Sequence, residues 1–177
     1  MRRLSGGNGV PPPRGLGHGV HDTGYRRGQA TPRGGFQPMT SPIRIVTAVI
    51  LDPAGRVLVV RKRGSRAFIQ PGGKREAGEQ ALHTLARELR EELGVALRAG
   101  GAHALGTFED DAVNEPGRRV QGESFLVQVD GTPRARAEIA ELAWIPLHPP
   151  HGVVLAPLSE RHVLPAARRW LGAGQAG

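Results

Sequence analysis

Three carboxylates fall within little more than one helical turn in Arg87-Glu88-Leu89-Arg90-Glu91-Glu92-Leu93-Gly94. On a helix, Glu88, Glu91 and Glu92 stand at i, i+3 and i+4 and share one face. Like charges at that spacing repel, each pair by a few tenths of a kcal/mol. They also precede Gly94, the expected C-terminal cap, where the helix dipole is negative and a cation is preferred. Local physics therefore disfavours the cluster unless a cation sits against it. Oxygen ligands of this kind suit a hard divalent ion such as Mg²⁺, or alternatively Mn²⁺. A solvated acidic helix face would explain the charges, but not the other spaced residues of the segment.

Those residues extend the pattern upstream. Gly73 is followed after five residues by Glu79 and after seven more by Arg87-Glu88-Leu89-x-Glu91-Glu92-x-Gly94-Val95. Residues 73–95 resemble, at every defined position, the signature of the Nudix hydrolases. The resemblance implies hydrolysis of a nucleoside diphosphate linked to a further group X, by attack of water on phosphorus. It implies Glu88, Glu91 and Glu92 as metal ligands, with the carbonyl of Gly73 (or Gly72) as a further ligand. It assigns Glu79 and Arg87 to an ion pair that orients the loop and the carboxylates. By the same analogy Glu88 is the expected general base. Some members use a glutamate outside this segment, and the candidates here are Glu138 and Glu141 in Ala137-Glu138-Ile139-Ala140-Glu141, with Glu123 behind them. Surface charge leading into a strand explains Glu138 and Glu141 equally well.

The elements that must position these groups are legible in outline. Residues 44–51 are β-branched and continuously apolar, a strand covered on both faces. Asp52-Pro53-Ala54-Gly55 predicts a type I turn, and 56–63 reads as the returning strand of a hairpin. Ala67–Gln70 reads as a short strand running into Pro71-Gly72-Gly73, whose glycines allow a tight bend and a close approach to ligand. The helix is expected over 79–93, with Leu82, Leu85, Ala86, Leu89 and Leu93 as its core stripe and the carboxylates off that stripe. Further strands are expected near 102–110, 123–129 and 139–145. A final helix is expected over 159–171, with Ser159 as its N-cap. Together with the signature these predict an α+β Nudix fold, a mixed β-sheet sandwiched between α-helices, over residues 40–172.

Composition bounds the rest. The chain has 177 residues, no cysteine and a formal net charge of +8. A disulfide framework, a thiolate metal site and a cysteine nucleophile are thus excluded. Residues 1–38 carry six arginines against Asp22 alone, amid glycine and proline runs. Residues 1–39 are therefore expected to be a disordered tail, as are 173–177. Met39 offers an alternative start, the tail lacks a secretory signal's apolar segment, and no apolar run reaches the length of a membrane span. A cytoplasmic enzyme of a small nucleotide is expected, with no membrane partner, with nucleic acid disfavoured, and with a homodimer left open.

Substrate choice is weakly written. Relatives acting on ADP-ribose or nucleotide sugars often carry a proline about fifteen residues past the signature, where this chain has Asp110 and Asp111. The tyrosine common in diadenosine polyphosphate hydrolases is replaced by Ala112 and Val113. A (deoxy)nucleoside triphosphate is the expectation, with ADP-ribose or a nucleotide sugar as the alternative. A non-catalytic nucleotide sensor or RNA-associated module is the competing class. Phe108, Phe125 and Trp144 are candidates to stack on a base, and Arg118 and Arg119 to contact phosphate.

Overall fold

The computed structural model describes residues 41–174. The expectations for residues 1–39 and for the last three residues lie outside them, while Ala173 ends the last helix. The apolar run at the start forms strand β1 (Ile43–Ile50), and β2 is Arg56–Lys62. Each is covered on both faces, as a continuous rather than alternating run requires. Val46, Ala48 and Ile50 of β1 join Leu58 and Val60 of β2 in one core, against Leu85, Leu89 and Leu93. Val49, Val57 and Val59 point the opposite way, toward Leu158, Val163, Leu164 and Ala167. The helices α1 (Ala81–Leu93) and α2 (Leu164–Ala173) therefore cover opposite sides of the strands.

The strands make two sheets. β1 pairs antiparallel with the short β3 (Gly72–Lys74) and parallel with β5 (Arg119–Asp130), which pairs antiparallel with the long β4 (Ala96–Asp111). The second sheet is β2 with β6 (Ile139–Pro146). The expected β1–β2 hairpin is thus corrected. The Asp52–Gly55 turn forms, with Asp52 Oδ1 accepting from the amides of Ala54 and Arg56 at 3.0 and 2.8 Å. Beyond a single bridge between Leu51 and Val57 the strands part. A type I turn splays its flanking strands, which releases β2 to β6.

Three boundaries also move. The Ala67–Gln70 stretch makes only isolated bridges, Ile69 with Val60 and Phe68 with Leu155, and the ladder forms instead at Gly72–Lys74. The signature helix begins at Ala81, two residues late, and Glu79 lies ahead of it with its carboxylate turned back onto Thr84 and Arg87 of the helix. The last helix begins at Pro157 and passes through a π-helical turn, Ser159–Val163. Ser159 is thus buried inside it rather than capping it. Gly94 does end α1 in the left-handed conformation (φ 68°). Its amide donates to the Arg90 carbonyl at 3.0 Å, the single bond of a left-handed cap, and the Val95 amide reaches the Leu89 carbonyl at 3.4 Å.

Candidate active site

The bend before α1 brings β3 and the helix face together. Gly73 pairs with Val46 in the β1–β3 ladder, and its Cα hydrogens face the Glu88 carboxylate so closely that a methyl group there would collide with it. Gly72, at φ 137°, lies against the Val46 carbonyl, and its amide donates to Glu92 Oε2 at 2.9 Å. The two glycines thus seat two of the three carboxylates.

The cluster is graded by depth. Glu92 is 1% exposed, Glu88 12% and Glu91 57%. The expectation that the carboxylates stand clear of the core fails for Glu92, which is fully buried beside Leu89 and Leu93. Leu82, expected in the core stripe, is exposed instead, and the buried Thr84 takes the place beside Leu85. Burial pushes the Glu92 carboxyl above its usual range, and the nearby Lys62 charge and the Gly72 amide only partly oppose this.

Two cations neutralise the cluster. The Lys62 ammonium lies 3.1 Å from Glu92 Oε1, an ion-pair distance without hydrogen-bond alignment, and donates to Glu138 Oε1 at 2.8 Å. Burial alone would lower the Lys62 pKa, but the bond to Glu138 and the attraction of Glu92 raise it. The Glu138 carboxyl is held below its usual range, chiefly by that same bond. The Arg87 guanidinium bonds Glu88 Oε1 at 2.7 Å and lies 3.9 Å from Glu91.

The Glu79–Arg87 pair forms as the spacing requires. Arg87 Nε and Nη2 reach the two Glu79 oxygens at 3.2 and 3.1 Å, a two-pronged contact. The Thr84 hydroxyl and the Glu76 amide also donate to Glu79. Hydrogen bonds from Arg87, then Thr84, lower the Glu79 carboxyl to about 2. Arg87 also donates to the Lys74 carbonyl at 3.4 Å, tying the helix to β3.

A cavity of about 480 Å³ opens beside these groups. Its lining combines Glu88, Gly73, Lys74, Lys62 and Glu138 with the apolar Ile43, Ile45, Val120 and Leu158, and Asp111, Asn114 and Glu115 also reach it. Glu138 is therefore brought to the site, just ahead of β6. Glu141 is not: it pairs across the sheet with Arg61 at 2.7 Å, half-exposed and away from the cavity. Glu123 pairs with Arg75 at 3.5 Å. Arg119 is taken up by Glu109 and Asp111, and Arg118 by Glu115 and the Ser41 carbonyl. Phe125 is in the core on the α1 side with Trp144 packed against that core, and Phe108 packs against the core on the α2 side. Lys62 and Gln70 were not singled out from sequence. A lysine closing an apolar strand and a glutamine before Pro-Gly-Gly give no signal until the fold places them.

The NUDIX domain model matches residues 41–166. This chain belongs to the NUDIX family. It is 31% identical to the Nudix hydrolase YfcD of Salmonella typhi over 58% of this chain and 56% of that one, so it spans about half the length of that relative. The solution structure of the E. coli ORF135 protein is 27% identical and superposes with a TM-score of 0.62 over 75% of this chain and 93% of that one. The MutT NUDIX hydrolase from Burkholderia pseudomallei, 24% identical, superposes with a TM-score of 0.56 over 70% and 94%. This last likeness is one of fold. The α+β architecture expected from the sequence is the NUDIX fold these structures share. No described helix is long and apolar enough to cross a membrane.

Proposed function

We propose that the chain is a divalent-metal-dependent pyrophosphohydrolase of a (deoxy)nucleoside triphosphate. One observation carries the reading. The carboxylates of Glu88 and Glu92 abut the Gly72-Gly73 bend beside a cavity lined by both charged and apolar side chains. A volume of about 480 Å³ lies in the range of nucleotide-sized sites.

The residues suit a hard cation. Glu88, Glu91 and Glu92 supply oxygen donors, with the Gly73 carbonyl beside them. Arg87 and Lys62 stand in for positive charge against all three carboxylates. Among the described residues no three acidic or histidine side chains already converge on one point. Glu91 must therefore turn inward from Arg87 to share an ion with Glu88. When bound, Mg²⁺ (or Mn²⁺) offsets phosphate charge and acidifies water.

The chain's own groups do the rest. Arg87, fixed by Glu79, holds Glu88 against Gly73, which sets the carboxylate that receives a proton from the attacking water. Glu138, kept ionised by Lys62, is the second acceptor at the cavity. Water adds to phosphorus, the phosphoanhydride bond breaks, and the leaving phosphate oxygen departs with the bridging electrons. Lys62 and Lys74 offer positive charge at the same mouth, where substrate and transition state are anionic. The apolar side chains of the lining, Ile43, Ile45, Val120 and Leu158, offer the nucleoside a surface to pack on.

The test is phosphate release from a panel of nucleoside triphosphates, ADP-ribose, nucleotide sugars and dinucleoside polyphosphates, with Mg²⁺ and with EDTA. Mg²⁺-dependent turnover of triphosphates is expected. Turnover confined to ADP-ribose or nucleotide sugars would reassign the substrate. Silence from folded, Mg²⁺-binding protein would favour a nucleotide sensor.

A further inference from the structure

We propose that Ala137 is a positioning residue, whose left-handed backbone turns Glu138 onto Lys62 beside the carboxylate cluster. This deepens the hydrolase reading above and rests on Glu138 as its second proton acceptor. Among the described residues, Ala137 alone of the non-glycines has a positive φ, 48°. It is the second residue of a tight turn, closed by the Ile139 amide on the Arg136 carbonyl at 2.9 Å. Positive φ at that position is ordinarily met by glycine, asparagine or aspartate, and an alanine there is strained. Such strain persists only where the surroundings fix the chain on both sides, and it gathers at functional sites.

Here both sides are fixed. Upstream, the Arg134 and Arg136 amides donate to the Leu93 and Glu92 carbonyls at 3.0 and 2.9 Å, at the end of α1. The Arg136 guanidinium lies so close over Gly94 that a methyl group on that glycine would collide with it. Downstream, the Glu138 carbonyl accepts from the Arg63 amide at 3.0 Å. Arg61 pairs with Glu141 but Lys62 with Ile139, so Ala140 is an extra residue, a bulge of the kind that re-aims a strand. Ile139 is buried in the core against α1. Ala137 is thus the joint between a stretch held by the signature helix and a stretch held by β2.

The joint sets the place of the next residue. Glu138 lines the cavity with Lys62 and Glu88. Its carboxylate shares the Lys62 ammonium with Glu92, at 2.8 and 3.1 Å. The carbonyl that anchors the Arg136 amide belongs to Glu92 as well. The turn therefore ties Glu138 to the helix end that carries the buried carboxylate. Ala137 itself is exposed, so a larger side chain there meets no core and acts through the backbone alone.

The experiment compares the full chain with Ala137→Gly, Ala137→Val, Glu138→Gln and the double variant Ala137→Val/Glu138→Gln. It reads kcat and KM for the nucleotide turned over, Mg²⁺ affinity, Tm, and the Lys62–Glu138 contact in crystals of the metal-free proteins. Glycine adopts a positive φ freely, so Ala137→Gly should keep the contact and hold kcat within about twofold. Its Tm should be level or up to about 5 °C higher. Valine is disfavoured at that φ, so Ala137→Val should lose the contact. A carboxylate misplaced in this way should lower kcat by roughly 10- to 100-fold, with KM and Mg²⁺ affinity within about threefold. In the Glu138→Gln background the same substitution should cost no more than about twofold. Wild-type kcat in Ala137→Val, an undiminished loss in the double variant, or an equal loss in Ala137→Gly would overturn the proposal. Wild-type turnover in Glu138→Gln would overturn it too, while leaving hydrolysis in place. A wild type that hydrolyses no nucleotide would remove the hydrolase reading, and the crystals would then decide the positioning alone. Glu138 leaving Lys62 in Ala137→Val and staying in Ala137→Gly would support it, and Glu138 staying in both would overturn it.

Discussion

Gly72 and Gly73 are adjacent, and replacing each by alanine should do opposite things. Gly73 has an ordinary backbone conformation, and the nearest obstacle to a methyl group is the Glu88 carboxylate. That methyl would press on the carboxyl carbon and lie 2.6 Å from Oε2, where ordinary contact begins at 3.4 Å. Glu88 must then move by about 1 Å, a misplacement worth roughly 100-fold in rate at a reacting centre. That corresponds to about 2.7 kcal/mol of transition-state stabilisation. Stability should change little, by about 1 kcal/mol or less, since the far end of a flexible side chain can give way. Gly72→Ala is different. Its φ of 137° is closed to alanine, and the methyl would run into the Val46 carbonyl and lie 2.9 Å from Thr47 Cα, backbone atoms of the central strand. We expect a loss of about 3 kcal/mol or more, seen as a Tm lower by roughly 6–12 °C. The assay is steady-state kcat and Mg²⁺ affinity beside thermal unfolding, with Gly73→Ala repeated in a Glu88→Ala background. There the collision is gone, so the Gly73 penalty on Mg²⁺ affinity should vanish. An additive loss in the double variant, or full activity in Gly73→Ala alone, would refute the reasoning.

Four further outcomes are expected. Glu92→Gln should abolish most hydrolysis yet leave the metal-free protein as stable or up to about 1 kcal/mol more stable, because a buried carboxylate is replaced by a neutral amide. The sign follows from the raised Glu92 pKa: the folded state binds its proton more tightly, so metal-free stability should fall as pH rises past the ordinary carboxylate value of 4.5. In Glu92→Gln, Tm against pH should lack that slope. Lys62→Met should cost about 2–3 kcal/mol without metal, discounted because the ammonium is partly exposed, and most of that should return in Lys62→Met/Glu92→Gln, measured by urea unfolding. Glu79 works with the opposite sign. Its carboxyl is lowered to about 2, so its bond to Arg87 supports the fold at neutral pH and is lost as pH falls from about 4.5 through about 2. The Tm gap between wild type and Glu79→Gln should narrow over that window, and a constant gap would exclude the assignment. Removing residues 1–38 should leave kcat and KM unchanged, and a large rise in KM would show that the arm handles substrate.

The sequence alone was enough for the family, the order of elements and the ion pair that braces the signature helix. These depend on spacing along the chain. Glu79 and Arg87 lie within reach because the loop and helix between them are short, and Leu85, Leu89 and Leu93 fall on one stripe because a helix repeats every 3.6 residues. Gly94 capped the helix because the left-handed conformation there suits glycine. What the tertiary structure decided are matters of which side and how deep. Helical spacing put three carboxylates on one face, but only packing against β2 and β3 buried Glu92 and left Glu91 in solvent. Glu138 and Glu141 read alike in sequence. The β2–β6 register sent one to Lys62 at the cavity and the other to Arg61 at the surface. Lys62 carried no local signal, because its partners Glu92 and Glu138 lie far from it in the chain. Short-range spacing is written in the sequence, whereas burial and long-range pairing arise only when distant segments close on one another.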